Sequence, residues 1–282
     1  MNYITLNNGV KMPQMGYGVY QVKPAECERC VLDAISAGYR LIDTAQAYHN
    51  EEGVGNAIKK CGVDRSELFI VTKIWMSNAG EERAYASILE SLKKLQSDYI
   101  DLLLIHQPFG DYYGTYRAME RAYREGKVRA IGVSNFYPDR FIDLQAHAEV
   151  KPAVNQVETH VFNQQRVAQQ YMEKYGCHIM SWGPFAEGLN NFFSNETLAE
   201  IGKAHGKTLA QTALRFLIQR GVIIIPKSTH KERMEENRNI FDFELTNDEM
   251  ERIAGLDLKH SLFFSHYEPD VVEQFMQWEK SI

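Results

Sequence analysis

Four side chains of this chain could do chemistry together. Asp43 and Tyr48 lie five residues apart after a short apolar run, in GYRLIDTAQAYHNE. Lys73 closes the apolar run LFIVTK, and His106 closes YIDLLLIH. A free phenol titrates near pH 10 and a free ammonium slightly above it, roughly. An ammonium beside a phenol favours the phenolate, so the expectation is that Lys73 lowers the pKa of Tyr48. Asp43 would hold that ammonium in place and keep it charged. His106 has a ring N–H to offer a carbonyl oxygen. A tuned phenol facing a polarised carbonyl suits proton delivery to a developing alkoxide, which is carbonyl reduction. No side chain supplies a hydride, so this reading requires a cofactor.

Such a group needs elements that bring it together. The pattern of an apolar run ending in a polar or aromatic residue recurs at Asn135 after VRAIGVSN, Gln156 after PAVNQ, Trp182 after CHIMSW and Lys227 after VIIIPK. Most of these ends lie at roughly 30-residue intervals, the length of a strand–helix–strand unit. Strands are expected at Met15–Gly18, Leu41–Asp43, Phe69–Thr72, Ile100–Ile105, Ala130–Val133, Ala153–Gln156, Ile179–Ser181 and Val222–Ile225. Helical patterns fall near 25–36, 51–60, 80–95, 115–125, 138–147, 165–175 and 208–219, with shorter ones near 230–238 and 247–254. The gap between Trp182 and Lys227 has room for a loop and an added helix. The first dozen residues read as a hairpin turning at Asn8-Gly9.

Eight strands alternating with helices fit a closed parallel barrel or an open doubly wound sheet. Polar groups after nearly every strand favour the barrel, whose C-terminal strand ends share one mouth. Neither Gly16-Tyr17-Gly18 nor Gly53-Val54-Gly55 completes a dinucleotide-binding fingerprint. The expectation is one α/β domain over residues 1–282, a (β/α)8 TIM barrel with an N-terminal β-hairpin and added C-terminal helices and loop.

The bulk properties narrow the function. The 282 residues are 44% hydrophobic and carry a net charge of -6, a poor field for nucleic acid or anionic membranes. No apolar run approaches a membrane span, and no signal peptide is apparent. A cytoplasmic location is expected. Cys27 and Cys30 form a lone CxxC on a helical pattern, so a four-thiolate zinc site is unsupported. The nine histidines show neither HxH nor HExxH, and no metal is expected. A glycosidase would need two strand-end carboxylates. Asp43 qualifies, whereas Glu158 is placed slightly past its strand end.

Taken singly, each of these residues has a structural explanation, and it is their joint occurrence at successive strand ends that favours chemistry. On that pattern the sequence resembles the aldo-keto reductase family over nearly the whole chain, bacterial members in particular. GYRLIDTAQAYHNE, IVTKIW, LLLIHQP and IPKSTHKERMEEN, in that order, carry the resemblance. It implies reduction of aldehydes and ketones by NADPH, with Tyr48 as general acid, Lys73 and Asp43 tuning it, and His106 orienting the carbonyl. Ser134, Asn135 and Gln156 would bind the nicotinamide carboxamide, and Trp182 would stack on its ring, followed by Gly183 and Phe185. Lys227, Ser228, Thr229, Arg233, Glu236 and Asn237 would hold the adenosine end of NADPH or NADP+. Lys227 and Arg233 would meet a 2'-phosphate there. Tyr20, Trp75, His106 and Phe109 would line the substrate pocket. The tail residues Phe263, Phe264, His266, Tyr267 and Trp278 would join them. That aromatic pocket suits small aldehydes, dicarbonyls or keto sugars. The family implies a monomer. The alternative from another class is a catalytically silent NADPH-sensing barrel.

Overall fold

The computed structural model describes residues 2–279. An antiparallel hairpin comes first, β1 (Tyr3–Thr5) and β2 (Lys11–Pro13). Eight parallel strands follow: β3 (Tyr17–Gly18), β4 (Leu41–Asp43), β5 (Phe69–Ile74), β6 (Leu102–Ile105), β7 (Ile131–Ser134), β8 (Val154–Glu158), β9 (His178–Trp182) and β10 (Ile223–Ile224). Each pairs with the next in chain order. Met15 bridges Ile224, with Gly16 N donating to Ile224 O (2.8 Å) and Ile224 N to Gln14 O (3.0 Å). That bridge closes the ring.

The helices are α1 (Pro24–Ser36), α2 (Glu51–Lys60), α3 (Glu81–Leu95), α4 (Tyr112–Arg124), α5 (Pro138–His147), α6 (Arg166–Lys174), α7 (Glu196–Ala204), α8 (Leu209–Gln219), α9 (Lys231–Arg238), α10 (Asn247–Ala254) and α11 (Pro269–Glu279). Their ends follow local chemistry. Thr208 and Gln211 form a capping box at α8, and Thr246 and Glu249 another at α10. Helix α4 starts earlier than its apolar pattern does, because Asp111 accepts from Gly114 N at 2.8 Å and caps it. The added helix after Trp182 is α7. Helix α11, expected only as pocket-lining tail, packs Phe275 into a cluster with Trp75, Met76 and Phe109.

Strand residues alternate between two cores, as the period of two requires. Ile42, Ile70, Leu103, Ile105, Ile131, Ile179 and Ile224 face the helices. Leu41, Phe69, Val71, Leu102, Leu104, Val154, Met180 and Ile223 fill the interior, and Leu6 and Met12 from the hairpin join them from below. The inward position of β7 is Gly132, where a Cβ would sit 2.3 Å from Val154 O. The next inward positions above this apolar layer are Asp43, Lys73, His106, Ser134, Gln156, Glu158 and Trp182. The fold therefore delivers the polar strand ends to one rim. No helix is long and apolar enough to cross a membrane among the described residues.

Candidate active site

Lys73 is the hub of the rim. It is fully buried, and its Nζ donates to Asp43 Oδ1 (2.7 Å), Thr44 O (2.9 Å) and Tyr48 Oη (3.3 Å). All three ammonium protons thus have acceptors. The second Asp43 oxygen accepts from Gln156 Nε2 at 2.9 Å. Burial pushes the Asp43 carboxyl up and the Lys73 ammonium down, and each charge opposes the other's shift.

Tyr48 departs from the sequence expectation. Burial holds its phenol well above the ordinary value, with further upward pressure from Asp43, Tyr20 and Glu187. The ammonium was expected to lower it. Desolvation wins because the half-buried ring is crowded by Tyr20 and His106 and the Lys73 charge is largely answered by Asp43 at shorter range. The site therefore carries a neutral phenol, a proton donor, at neutral pH.

A short 3-10 turn at Gln46–Tyr48 presents the phenol. Its geometry is fixed by residues that sequence reading passed over. Asn50 donates to Val19 O (2.9 Å) and Val22 O (3.1 Å) and accepts from Thr44 Oγ1 (2.8 Å). Gln46 Oε1 accepts from Trp75 N and from Asn78 Nδ2, both at 3.0 Å. Short polar residues just after a strand end were the available signal, since such residues bond to nearby backbone.

His106 faces Tyr48, with ring centroids 5.6 Å apart, and meets the edge of Trp75 at 5.1 Å. Burial, reinforced by the Lys73 charge, holds its imidazole well below the ordinary value, so it is neutral. Its Nδ1 is buried without a protein partner, as are Trp75 Nε1, Gln107 Oε1 and both ring nitrogens of His266. Polar atoms this deep are normally satisfied. Most such atoms among the described residues cluster at this mouth.

The residues expected to meet a nicotinamide form one network. Ser134 Oγ donates to Gln156 O (2.8 Å), Asn135 Nδ2 to His106 O (3.1 Å), and Trp182 Nε1 to Asn135 Oδ1 (2.8 Å). Gly183, at φ 62°, turns the chain out of β9, and Phe185 packs against Phe192. At the end of β10, Lys227 and Arg233 are exposed, and among the described residues neither has a carboxylate partner. Ser228 Oγ accepts from His230 N at the start of α9 and its carbonyl accepts from Tyr17 Oη, while Thr229 O lies at 3.5 Å from Arg29 Nη1. Glu236 accepts from Thr208 Oγ1, and Asn237 is buried on α9. Two unpaired cations on a strand end and the helix after it fit a dinucleotide phosphate. The half-buried indole of Trp182 fits a ring.

The expected pocket residues divide. Tyr20 is half exposed and tilts against Tyr48, with centroids 5.0 Å apart. Trp75 and Phe109 are buried and pack with Phe275 of α11. Phe263 and Phe264 pack on Trp182, and His266 lies between Phe109 and Tyr137. Tyr267 is largely exposed, and Trp278 packs edge-on against Phe275. Glu158, placed by the sequence just beyond its strand, is the last residue of β8 and is buried.

A barrel with this rim defines a class, and comparison with known proteins agrees. The model of the Aldo/keto reductase family matches residues 8–258, and the chain belongs to that family. It is 46% identical over 256 residues to the glyoxal reductase of Bacillus subtilis, covering 90% of this chain and 92% of that one. An aldo-keto reductase from a Medee basin deep-sea metagenome library superposes with a TM-score of 0.91 at 40% identity, over 94% of this chain and 98% of the other. The Bombyx mori aldo-keto reductase, solved in complex with NADP, does so at 0.88 with 34% identity, over 92% and 94%. The protein is thus an oxidoreductase of a family that uses a nicotinamide cofactor and acts on small carbonyl compounds.

Proposed function

We propose that this protein reduces small aldehydes and dicarbonyls to alcohols with NADPH, and that Tyr48 delivers the proton. The observation that carries the reading is the buried Lys73 ammonium, bonded at once to Asp43 and to the Tyr48 hydroxyl. A bound reduced nicotinamide would supply the hydride. Tyr48, a neutral phenol in the free site, donates its proton as negative charge builds on the substrate oxygen. The Lys73 ammonium then stabilises the phenolate left behind, which is where its charge matters most. His106, uncharged, donates a hydrogen bond to the same oxygen and orients it. Asp43 keeps Lys73 in place. Ser134, Asn135, Gln156, Trp182, Gly183 and Phe185 would hold the nicotinamide half. Lys227, Ser228, Thr229, Arg233, Glu236 and Asn237 would hold the adenosine half, with Lys227 and Arg233 selecting the 2'-phosphate. Tyr20, Trp75 and Phe109 with the tail would shape the pocket. The chain is proposed to act as a single-domain cytoplasmic monomer, since a closed barrel exposes no sheet edge.

The similarity to a glyoxal reductase supports dicarbonyls as the substrates to try first. The test follows absorbance at 340 nm with glyoxal, methylglyoxal, benzaldehyde and keto sugars, each with NADPH and NADH. Tyr48→Phe is expected to lower kcat by about a hundredfold or more while NADPH still quenches Trp fluorescence. NADPH binding without turnover of any carbonyl would favour a cofactor-sensing barrel instead.

A further inference from the structure

Glu158 is a buried carboxylate that the chemistry above does not use. It ends β8, two residues beyond Gln156 and on the same inward face. Its Oε1 lies 2.9 Å from His160 Nε2 and accepts from Leu262 N at 3.0 Å. Its Oε2 accepts from Ser261 Oγ. His160 Nδ1 accepts from Phe162 N (3.2 Å) and Asn163 N (3.1 Å), so the imidazole proton sits on Nε2 and points at Glu158. Burial pushes this carboxyl up, but the donors around it outweigh burial and hold it below the ordinary range. The group is therefore ionised, and its bond from Ser261 is charge-assisted.

Ser261 does two things with one hydroxyl. It donates to Glu158 and accepts from Phe263 N (2.9 Å) and Phe264 N (3.0 Å). That turn sets both rings on Trp182. Phe263 meets it edge-on at 5.1 Å, and Phe264 stacks on it at 5.7 Å with 18° between planes. Trp182 in turn donates to Asn135, and Asn135 to the His106 carbonyl. A continuous set of contacts thus joins a strand-end carboxylate, the C-terminal tail and the proposed reaction centre.

We propose that Glu158 is a positioning residue, which through Ser261 fixes Phe263 and Phe264 against Trp182 and so sets the space in which the carbonyl substrate is held. The inference rests on the function proposed above, with Trp182 at the nicotinamide. Glu158 touches no reacting atom in this scheme. Its contribution falls on substrate binding, through a wall that is built only when the tail is latched.

Glu158→Gln tests this with little change of shape. The Gln oxygen can still accept from His160 and Leu262, but its NH2 faces a hydroxyl that already accepts two bonds. Ser261→Ala removes the latch from the other side, and Ser261→Thr keeps the hydroxyl. Amide hydrogen exchange at Phe263 and Phe264 is measured in the free protein, and KM and kcat with NADPH and benzaldehyde. Exchange at the two amides should speed up roughly tenfold in Glu158→Gln and Ser261→Ala. KM should rise roughly tenfold with kcat within about twofold, and Ser261→Thr should restore both. Wild-type exchange in Glu158→Gln overturns the latch. Faster exchange with unchanged KM overturns the positioning role. If the wild type reduces no carbonyl, the proposed function and the positioning role fail together. The exchange data, taken without substrate, still tell that failure from failure of the latch.

Discussion

Removing the Lys73 ammonium should cost far more than removing the ion pair as a whole. Lys73 is fully buried and Asp43 is 2% exposed, so neither charge is screened by water. Lys73→Met keeps the four-atom stem but leaves the Asp43 carboxylate with one side-chain donor, Gln156. Breaking a buried pair by deleting one partner costs about 3–5 kcal/mol. Asp43→Asn strands the ammonium in the same way, though Thr44 O and the Tyr48 hydroxyl still accept from it. The double variant removes both charges, and replacing a buried pair outright is often close to neutral. On those figures it should lose less than the sum of the single losses by several kcal/mol, at least about 3. Urea unfolding of all four proteins at neutral pH, with a common m-value, reads these differences. The sign of the pH dependence provides a control. In Lys73→Met burial raises the Asp43 pKa with only the Gln156 hydrogen bond opposing it, so the native state takes up a proton as pH falls. The deficit of that variant should shrink toward acid and grow as pH rises through the raised pKa. Losses that add to within about 0.5 kcal/mol would refute the coupling and with it the account of the Lys73 hub.

Arg233→Ala should weaken NADPH at least about tenfold while leaving NADH nearly unchanged, because only the 2'-phosphate distinguishes them. Fluorescence titration with each cofactor checks this, and equal weakening would place Arg233 elsewhere. His266 is driven by burial down to about 4, with Arg140 pushing the same way and Asp139 the other. Its unfolded value is near 6.5, so its contribution to stability is intact above that pH and lost as pH falls from about 6.5 toward 4. His266→Phe should flatten that part of the stability–pH curve, followed by urea midpoints at pH 7 and pH 5. Gly132→Ala puts a Cβ against a backbone carbonyl at 2.3 Å and should cost about 1–3 kcal/mol or more. A Tm equal to wild type would show that β7 and β8 can separate freely.

The grouping of the proposed catalytic residues was legible because a barrel strand alternates strictly and each run announces its own end. Leu41, Val71 and Leu104 point inward, so Asp43, Lys73 and His106 must too. The strands were placed to within a residue or two for the same reason. Tyr48 sits on a turn, outside that alternation, and only its residue type marked it. Its pKa direction was misread because spacing reveals which charges are near but not how deeply a ring is buried. The tail was harder. Helix α11 has an apolar face, but nothing local says that it packs with Trp75 and Phe109. Glu158 was placed past its strand because the polar Gln156 was taken as the strand end, whereas the ladder to β9 carries pairing on through Val157 to Glu158, opposite Trp182.

The hairpin at the far end of the barrel bears on this chemistry from a distance. Leu6 and Met12 stopper the bottom, and the apolar interior above them rises to the floor beneath Asp43 and Lys73. Water approaching from that side would lower the effective strength of every charge interaction at the rim. The hairpin residues thus serve as an insulator. They help to decide how strongly Lys73 feels Asp43 and how far the Tyr48 phenol is held above its ordinary value, although none of them comes near the mouth.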